Sequence, residues 1–303
     1  MTERILGRSG IRVSAIALGC EGFAGKSLKE TKEMMDFAIA EGINFLDLYS
    51  PDPQLRSAIG AALRGRRESF VIQGHLGSVW KNGQYERSRD LAETAAAFSD
   101  LLERLETGYL DVGMIHYVDA VEDFHRVFDG PFLEFVRKQK EEGRIRAVGM
   151  SSHNPVVAEM AVESGWIDVL MFSINPCYDL QPPGEEVEQL WADEVYQKQY
   201  HNFNPEREKL YTLCERRNVG IDGMKVYAGG DLLKAEQSMF GRAMTPVQAL
   251  NYALTRPAVA AVMVGCRSVG EIREALAAAD ALAADGVCFE QAYSPQPVCG
   301  PCR

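Results

Sequence analysis

Eight short runs of apolar, largely β-branched residues alternate with eight longer amphipathic stretches, and this alternation limits the fold more than any other feature of the chain. The runs cover residues 14–20, 44–49, 70–76, 110–117, 145–151, 169–175, 219–226 and 259–266. Each is near-continuously hydrophobic, as parallel strands covered on both faces are. The stretches at 28–41, 54–63, 87–105, 130–142, 155–164, 205–217, 246–255 and 269–284 carry helical spacing. Ser27 stands where a cap belongs. Pro155, Pro205 and Pro246 stand where a proline opens a helix, because the first helical residue has no intrahelical N–H bond to lose. A strict strand-then-helix succession gives right-handed crossovers. Such a succession also suits an open doubly wound sheet, but eight pairs favour closure and no GxGxxG follows the first run. The expectation is an α/β fold: one (β/α)8 TIM barrel over residues 1–284, a size that 303 residues support, and a poorly ordered tail at 285–303.

Two segments depart from the rhythm. ILGRSGIRVS precedes the first run and reads as a β-hairpin turning at Ser9-Gly10, placed to cap the bottom of the barrel. Residues 178–204, rich in Pro, Glu, Gln and aromatics, form a long insertion after the sixth run. At a strand-to-helix loop it would lie on the catalytic face, as a substrate lid or as a surface embellishment. The net charge of −11 lacks the cationic face that nucleic acid or an anionic membrane requires. No run of about 18 apolar residues exists, and the first residues hold no apolar leader core. A soluble, cytoplasmic protein acting on a small molecule is expected, with neither nucleic acid nor membrane as partner; the oligomeric state is not legible. Seven scattered cysteines, an odd number, read as reduced thiols.

Barrels of this kind gather their chemistry at strand C-termini and the loops that follow. Those ends carry Cys20, Asp47 with Tyr49, His75, His116 with Asp119, Ser151-Ser152-His153, Asn175 with Cys177, Lys225, and Cys266-Arg267. A carboxylate beside an imidazole is a natural acid–base unit: it orients the ring and favours its charged form, and imidazole titrates near neutrality. Tyr49 lies two residues beyond Asp47, leaves the same strand face and is the best-placed phenol; Tyr85 and Lys81 of WKNGQYERS stand as remote alternatives. His153 reads equally as helix-entry chemistry ahead of Pro155. A site of His75, His116, Asp47 and Asp52 would suit zinc, manganese or iron, yet no HxH or HExxH spacing supports it and no metal is expected. Cys20, Cys177 and Cys266 read as small buried hydrophobes. The terminal CGPC lacks the βαβ context of a thioredoxin-like site, and Cys299 and Cys302 supply only two of the four thiolates an iron–sulfur cubane needs.

Five segments, in order, resemble the aldo/keto reductase family: ILGRSGIRVSAIALGCEGF, GINFLDLYSPDPQLRSAIGAAL, YLDVGMIHYVD, IRAVGMSSHN and AVMVGCRSVGEIREAL. The likeness runs from about Arg4 to Leu282, and its flavour is that of the bacterial subgroup whose members often carry a C-terminal iron–sulfur tail. It implies a barrel that binds NADP(H) and reduces carbonyls through an Asp, Tyr, Lys and His tetrad. Asp47 matches the aspartate and His116 the histidine. Asp52 occupies the tyrosine column and His75 the lysine column. Arg267, Ser268 and Arg273 resemble the clamp on the adenosine 2′-phosphate. At the nicotinamide end Asn175 matches, Ser151 and Ser152 can bond a carboxamide, Lys225 lies at a strand end, and Met171 and Ile174 replace the family's glutamine and aromatic. The resulting expectation is an NADP-dependent oxidoreductase in which His75, oriented by Asp47, moves the proton and His116 hydrogen-bonds the substrate oxygen. Two other readings keep the barrel. One is a non-redox isomerase, epimerase or lyase using the same His/Asp groups, with or without metal; the other is a catalytically silent relative that binds nucleotide.

Overall fold

Hairpin, caps and prolines set the frame. In the computed structural model, which describes residues 2–191 and 202–285, β1 (Glu3–Ile5) and β2 (Arg12–Ser14) pair antiparallel. β3 (Ile16–Gly19), β4 (Phe45–Leu48) and β5 (Val71–Leu76) follow, then a second hairpin of β6 (Ser78–Lys81) and β7 (Gln84–Arg87). β8 (Leu110–Ile115), β9 (Ile145–Ser152), β10 (Val169–Ser173), β11 (Gly220–Met224) and β12 (Val259–Gly265) complete the strands. The eight parallel strands β3, β4, β5, β8, β9, β10, β11 and β12 close into a barrel in that order, with β12 returning to pair β3. This is the (β/α)8 TIM architecture expected from the alternation.

The helices are α1 (Leu28–Ala40), α2 (Pro53–Leu63), α3 (Leu91–Arg104), α4 (Val121–Phe128), α5 (Pro131–Glu141), α6 (Pro155–Ser164), α7 (Pro205–Arg217), α8 (Pro246–Leu254) and α9 (Val269–Asp285). Ser27 caps α1 in a reciprocal box with Glu30, and Thr245 does the same for α8 with Gln248. Each box satisfies backbone donors that a helix start leaves without partners. Where one helix was expected between the fourth and fifth barrel strands there are two: α4 precedes α5, and the chain turns at Gly130 ahead of Pro131.

The N-terminal hairpin plugs the lower mouth. Leu6 and Val13 are fully buried against Ala17, Phe45, Val112, Ala147 and Val169 of the barrel interior. Arg4 donates to the carbonyls of Leu254 and Val259, both at 2.9 Å, and Arg8 donates to those of Gly165 and Ile167. Gly7, at φ +54°, sits so close to the α7–β11 turn that a Cβ would lie 2.1 Å from the Gly220 nitrogen, so glycine is required there.

Within the barrel, the inward positions change character along the axis. The lower layers are apolar. Above them Asp47, Gln73 and His75, Ser151, and Asp222 point inward from β4, β5, β9 and β11, and all are buried. The period-two alternation of strands sets this, since Asp47 shares a face with Phe45, and Gln73 and His75 share one with Val71.

The described part of the insertion after β10 holds two short 3-10 turns, Tyr178–Leu180 and Val187–Trp191. Its two ends are tied together: the Asn204 N–H donates to the Asp179 carbonyl at 2.8 Å. The Asp179 carboxylate, fully buried, accepts from Arg207 (3.0 Å), Tyr211 (2.7 Å) and Tyr252 (2.6 Å). The tail at 286–303, with Cys299 and Cys302, lies outside the described residues. Among the described residues no helix is long and apolar enough to cross a membrane.

Candidate active site

Four side chains from four segments form an unbroken hydrogen-bonded line at the C-terminal mouth. Asp47, at the end of β4, accepts from His75 Nε2 at 2.9 Å. His75 Nδ1 meets His116 Nδ1 at 2.7 Å, and His116 Nε2 meets the Tyr85 hydroxyl at 2.6 Å. Asp47, His75 and His116 are buried, whereas Tyr85 is 41% exposed, so the line runs from the barrel interior out to solvent. A carboxylate can only accept, which makes His75 Nε2 a donor. With both rings neutral, His75 Nδ1 then accepts from His116 Nδ1–H, and His116 Nε2 accepts from the Tyr85 hydroxyl. Every group is satisfied in that single sense.

Burial holds the His116 ring well below the usual imidazole range, and the neighbouring His75, Arg89, Arg87 and His153 lower it further. Burial pushes the Tyr85 phenol up, partly offset by Arg87 and Arg89. The same side of the mouth thus keeps both groups in their neutral forms.

The structure brings Tyr85, a remote alternative in the sequence, into the line and leaves the Tyr49 hydroxyl outside it. The Tyr49 ring is in the cluster, parallel to His116 at 6.1 Å and edge-on to His75 and Tyr85, each at 6.2 Å. Its hydroxyl is not in the line, and burial followed by the nearby Glu21 charge raises that phenol above its ordinary range. Tyr85 reaches His116 because WKNGQYERS folds back as the β6–β7 hairpin. Asn82 (φ +51°) and Gly83 (φ +80°) make its two-residue turn, the Asn-Gly signal that identifies such hairpins. At its base Gly77 (φ +92°) turns the chain out of β5, and a Cβ there would lie 2.8 Å from the Ser88 carbonyl oxygen. Trp80 and Tyr85 are directly opposite in the hairpin. Lys81, on the other face, is ion-paired with Glu93 of α3, which turns the Tyr85 face to the mouth.

The remaining candidates divide. Asp52 caps α2, accepting from the Gln54 N–H at 2.8 Å and the Leu55 N–H at 3.5 Å, and so lies outside the line. Asn175 is spent on structure: its Oδ1 accepts from the Cys177 and Tyr178 N–H groups and its Nδ2 donates to the Lys225 carbonyl. Ser152 faces away from the lumen and donates to Asp119 at 2.8 Å, while the same carboxylate accepts from the His153 backbone and pairs with its ring. Ser151 is inward and buried, its hydroxyl accepting from the Tyr117 N–H at 2.8 Å. His116 does not present a free Nε2 to a substrate; the Tyr85 hydroxyl holds it.

Lys225 is exposed at φ +61° where the chain leaves β11. Arg267, Ser268 and Arg273 are exposed around the start of α9. The Ser268 hydroxyl accepts from the Glu271 N–H at 3.2 Å, Glu271 accepts from the Arg267 N–H at 2.7 Å, and the Arg273 guanidinium lies 5.1 Å from the Phe37 ring centre. Two accessible guanidiniums and a hydroxyl at a helix N-terminus fit a phosphate. Cys20, Cys177 and Cys266 are buried, and burial raises each thiol. Among the described residues no group of three or more His, Cys, Asp or Glu side chains is arranged to hold a metal ion.

Two buried polar residues of the lumen were not anticipated. Gln73 Nε2 donates both to Asp47 Oδ1 at 2.9 Å and to Asp222 Oδ2 at 2.8 Å. Each stands inside an otherwise apolar strand: Asp222 is the lone polar residue of GIDGM, and Gln73 lies two residues before His75 in VIQGHL, on the same face.

The family model for the aldo/keto reductase family matches residues 15–190. An uncharacterized oxidoreductase of Bacillus subtilis, YqkF, is 28% identical over 297 residues, covering 93% of this chain and 92% of its own. The aldo-keto reductase YhdN of the same organism is 24% identical over 184 residues, covering 58% and 51%. Solved structures share the barrel. The holo form of an aldo-keto reductase from Bacillus halodurans superimposes with a TM-score of 0.73 at 23% identity, over 92% of this chain and 91% of that one. A putative aldo-keto reductase from Pseudomonas aeruginosa does so with a TM-score of 0.70 at 22% identity, over 91% and 93%. On the family match, with a closed barrel and an acid–base cluster at its upper mouth, this chain belongs to the aldo/keto reductase family of oxidoreductases.

Proposed function

We propose that this protein reduces a small carbonyl compound, or oxidises the matching alcohol, with NADP(H), and that Tyr85 is the group that exchanges the proton with the substrate oxygen. The observation that carries the reading is the line from Tyr85 through His116 and His75 to Asp47. Arg267, Ser268 and Arg273 are the residues that would hold the adenosine phosphate, with Ser151 turned inward at the nicotinamide end. When bound, the reduced nicotinamide supplies a hydride to the carbonyl carbon.

The chain's own residues then handle one proton. In the charged form of the relay His75 carries both ring protons, its Nδ1–H donates to His116 Nδ1, and His116 Nε2–H donates to the Tyr85 oxygen. The Tyr85 O–H is then free to face the substrate. As the carbonyl π bond breaks, the oxygen takes the Tyr85 proton. Tyr85 takes the proton of His116 Nε2, and His116 Nδ1 takes that of His75. The product is the neutral arrangement deduced from the geometry, in which Asp47 still orients His75 Nε2–H. His75 and Asp47 thus stand where the family's lysine and aspartate support a phenol, and Tyr85 enters from a different loop.

Reduction consumes the stored proton, so its rate falls as pH rises, while alcohol oxidation, which needs the discharged relay, gains. The test is single-turnover NADPH oxidation by Tyr85→Phe over a carbonyl panel, with parallel NADPH and NADH fluorescence titrations. The expected result is unchanged nucleotide binding with turnover lowered about a hundredfold or more. Wild-type turnover in Tyr85→Phe removes Tyr85 from the mechanism, and failure of both nucleotides to bind removes the redox reading.

A further inference from the structure

The Gln73 amide spans two carboxylates that approach from different strands. Its Nε2 has two hydrogens, and these go to Asp47 Oδ1 from β4 and Asp222 Oδ2 from β11. All three residues are buried, Gln73 and Asp222 fully. We propose that Asp222 is a positioning residue for the acid–base line: through the Gln73 amide it holds Asp47 Oδ1 turned toward His75 Nε2, and so fixes which nitrogen of His75 carries its proton. The inference rests on the relay reading of Tyr85, His116, His75 and Asp47 given above.

Asp47 Oδ1 accepts from both Gln73 and His75 at 2.9 Å, so the two donors together define where that oxygen lies. Gln73 has no other anchor at its amide end: its Oε1 has no hydrogen-bond partner among the described residues. Without Asp222 the amide is free to rotate, because β10 and β12 present only Met171 and Ala261 beside Asp222. Met171 offers no more than a sulfur at 3.8 Å from Gln73 Nε2. A rotated amide can set its oxygen against the Asp47 carboxylate, two acceptors face to face, which forces that carboxylate to turn. Asp47 is then no longer committed to His75 Nε2, and the directed order of donors along the relay is lost.

The titratable groups around this bridge are Asp47 from β4, His75 from β5, the Cys20 thiol and Tyr49 phenol that the Asp47 charge also acts on, and, one ring further out, His116 just past β8. Among the described residues no Lys or Arg pairs with Asp222. Burial, reinforced by the Asp47 charge, drives the Asp222 carboxyl well above its ordinary range, while the Gln73 hydrogen bond opposes the shift. Burial thus favours the neutral acid at Asp222; its Oδ2 accepts from Gln73, while its Oδ1 has no hydrogen-bond partner among the described residues. Its work needs an acceptor oxygen and no charge, which an asparagine also supplies.

The test compares Asp222→Asn, Asp222→Ala and Gln73→Leu with wild type. Nitrogen NMR of histidine-labelled apoprotein reads the His75 tautomer, and the pH profile of kcat reads the relay. The tautomer signal needs no turnover, so it stands even if no carbonyl substrate is reduced and the relay reading fails. In wild type and Asp222→Asn, His75 is expected as a single Nε2–H tautomer. In Asp222→Ala and Gln73→Leu it becomes a mixture, kcat falls between about ten- and a hundredfold as the Asp47–His75 geometry loosens, and the pH midpoint moves. Should Asp222→Ala not fold, Gln73→Leu carries the same expectation without opening a gap at β11. An unmixed tautomer and an unmoved midpoint in the alanine or leucine variant overturn the proposal. A shift in Asp222→Asn as large as that in Asp222→Ala overturns it too, since the charge and not the bridge would then matter.

Discussion

Two buried aspartates in this barrel each take hydrogen bonds from aromatic partners, and they behave in opposite ways. Asp179 is bonded by Arg207, Tyr211 and Tyr252, all buried. Asp47 is bonded by Gln73 and by His75, whose line continues through His116 to Tyr85. At Asp179 each partner can only give. Guanidinium does not release its proton, and burial with the Asp179 charge drives the Tyr211 and Tyr252 phenols well above their usual range. The cluster has one protonation state and one geometry. Along the Asp47 line each imidazole nitrogen can give or take, so the same distances support two directions of donation. What separates a brace from a line able to pass a proton is not burial but whether the donor beside the carboxylate can also accept.

Breaking the brace should show in stability and leave chemistry alone. Arg207→Met strips the buried carboxylate of its cation and is expected to cost about 3–5 kcal/mol, read by denaturant unfolding, while kcat per folded molecule stays within about twofold. A large loss of kcat in the folded fraction would mean that the two clusters are coupled. Tyr252→Phe removes one donor from Asp179 Oδ2 and is expected to cost about 1–3 kcal/mol, again without a change in the pH profile of turnover. The smallest effect separates the clusters by pH. His116 is held neutral in the fold, whereas the unfolded chain takes up its proton below about pH 6.5. The unfolded state then binds more protons, so stability falls as pH falls below that value, by at most about 1.4 kcal/mol per pH unit for this residue. His116→Asn should flatten that part of the unfolding curve relative to wild type, measured from about pH 5 to about pH 8. Tyr211→Phe should leave the slope as it is.

The architecture was legible because alternation repeats: eight apolar runs between amphipathic stretches admit few closures. What escaped was local or cross-barrel. α4 is short and sits in a connection the sequence reading left unassigned. The β6–β7 hairpin carries its own signal in Asn82-Gly83, but four-residue strands on either side are too short for their alternation to stand out, and the placement of Tyr85 depends on them. Asp52 and Asn175 fell at positions where a functional group and a helix or turn cap look alike, since both ask for a short polar side chain. Asp47, His75 and His116, read from strand ends and from the family resemblance, do meet in one hydrogen-bonded line. Gln73 and Asp222 lie inside strands, where the expectation that reactive groups cluster at strand ends does not look. A polar residue inside an otherwise apolar strand was the cue.

The backbone bond from Asn204 to Asp179 has a consequence for chain length. It brings the two ends of the post-β10 excursion to a fixed stem, with Arg207 and Asp179 locking the stem from below. Once the stem is closed, the cost of adding residues between the ends grows only with the logarithm of their number. A change in the number of residues between those ends is therefore expected to leave the register of the barrel in place. The closed stem leaves the barrel's packing independent of the length of that stretch.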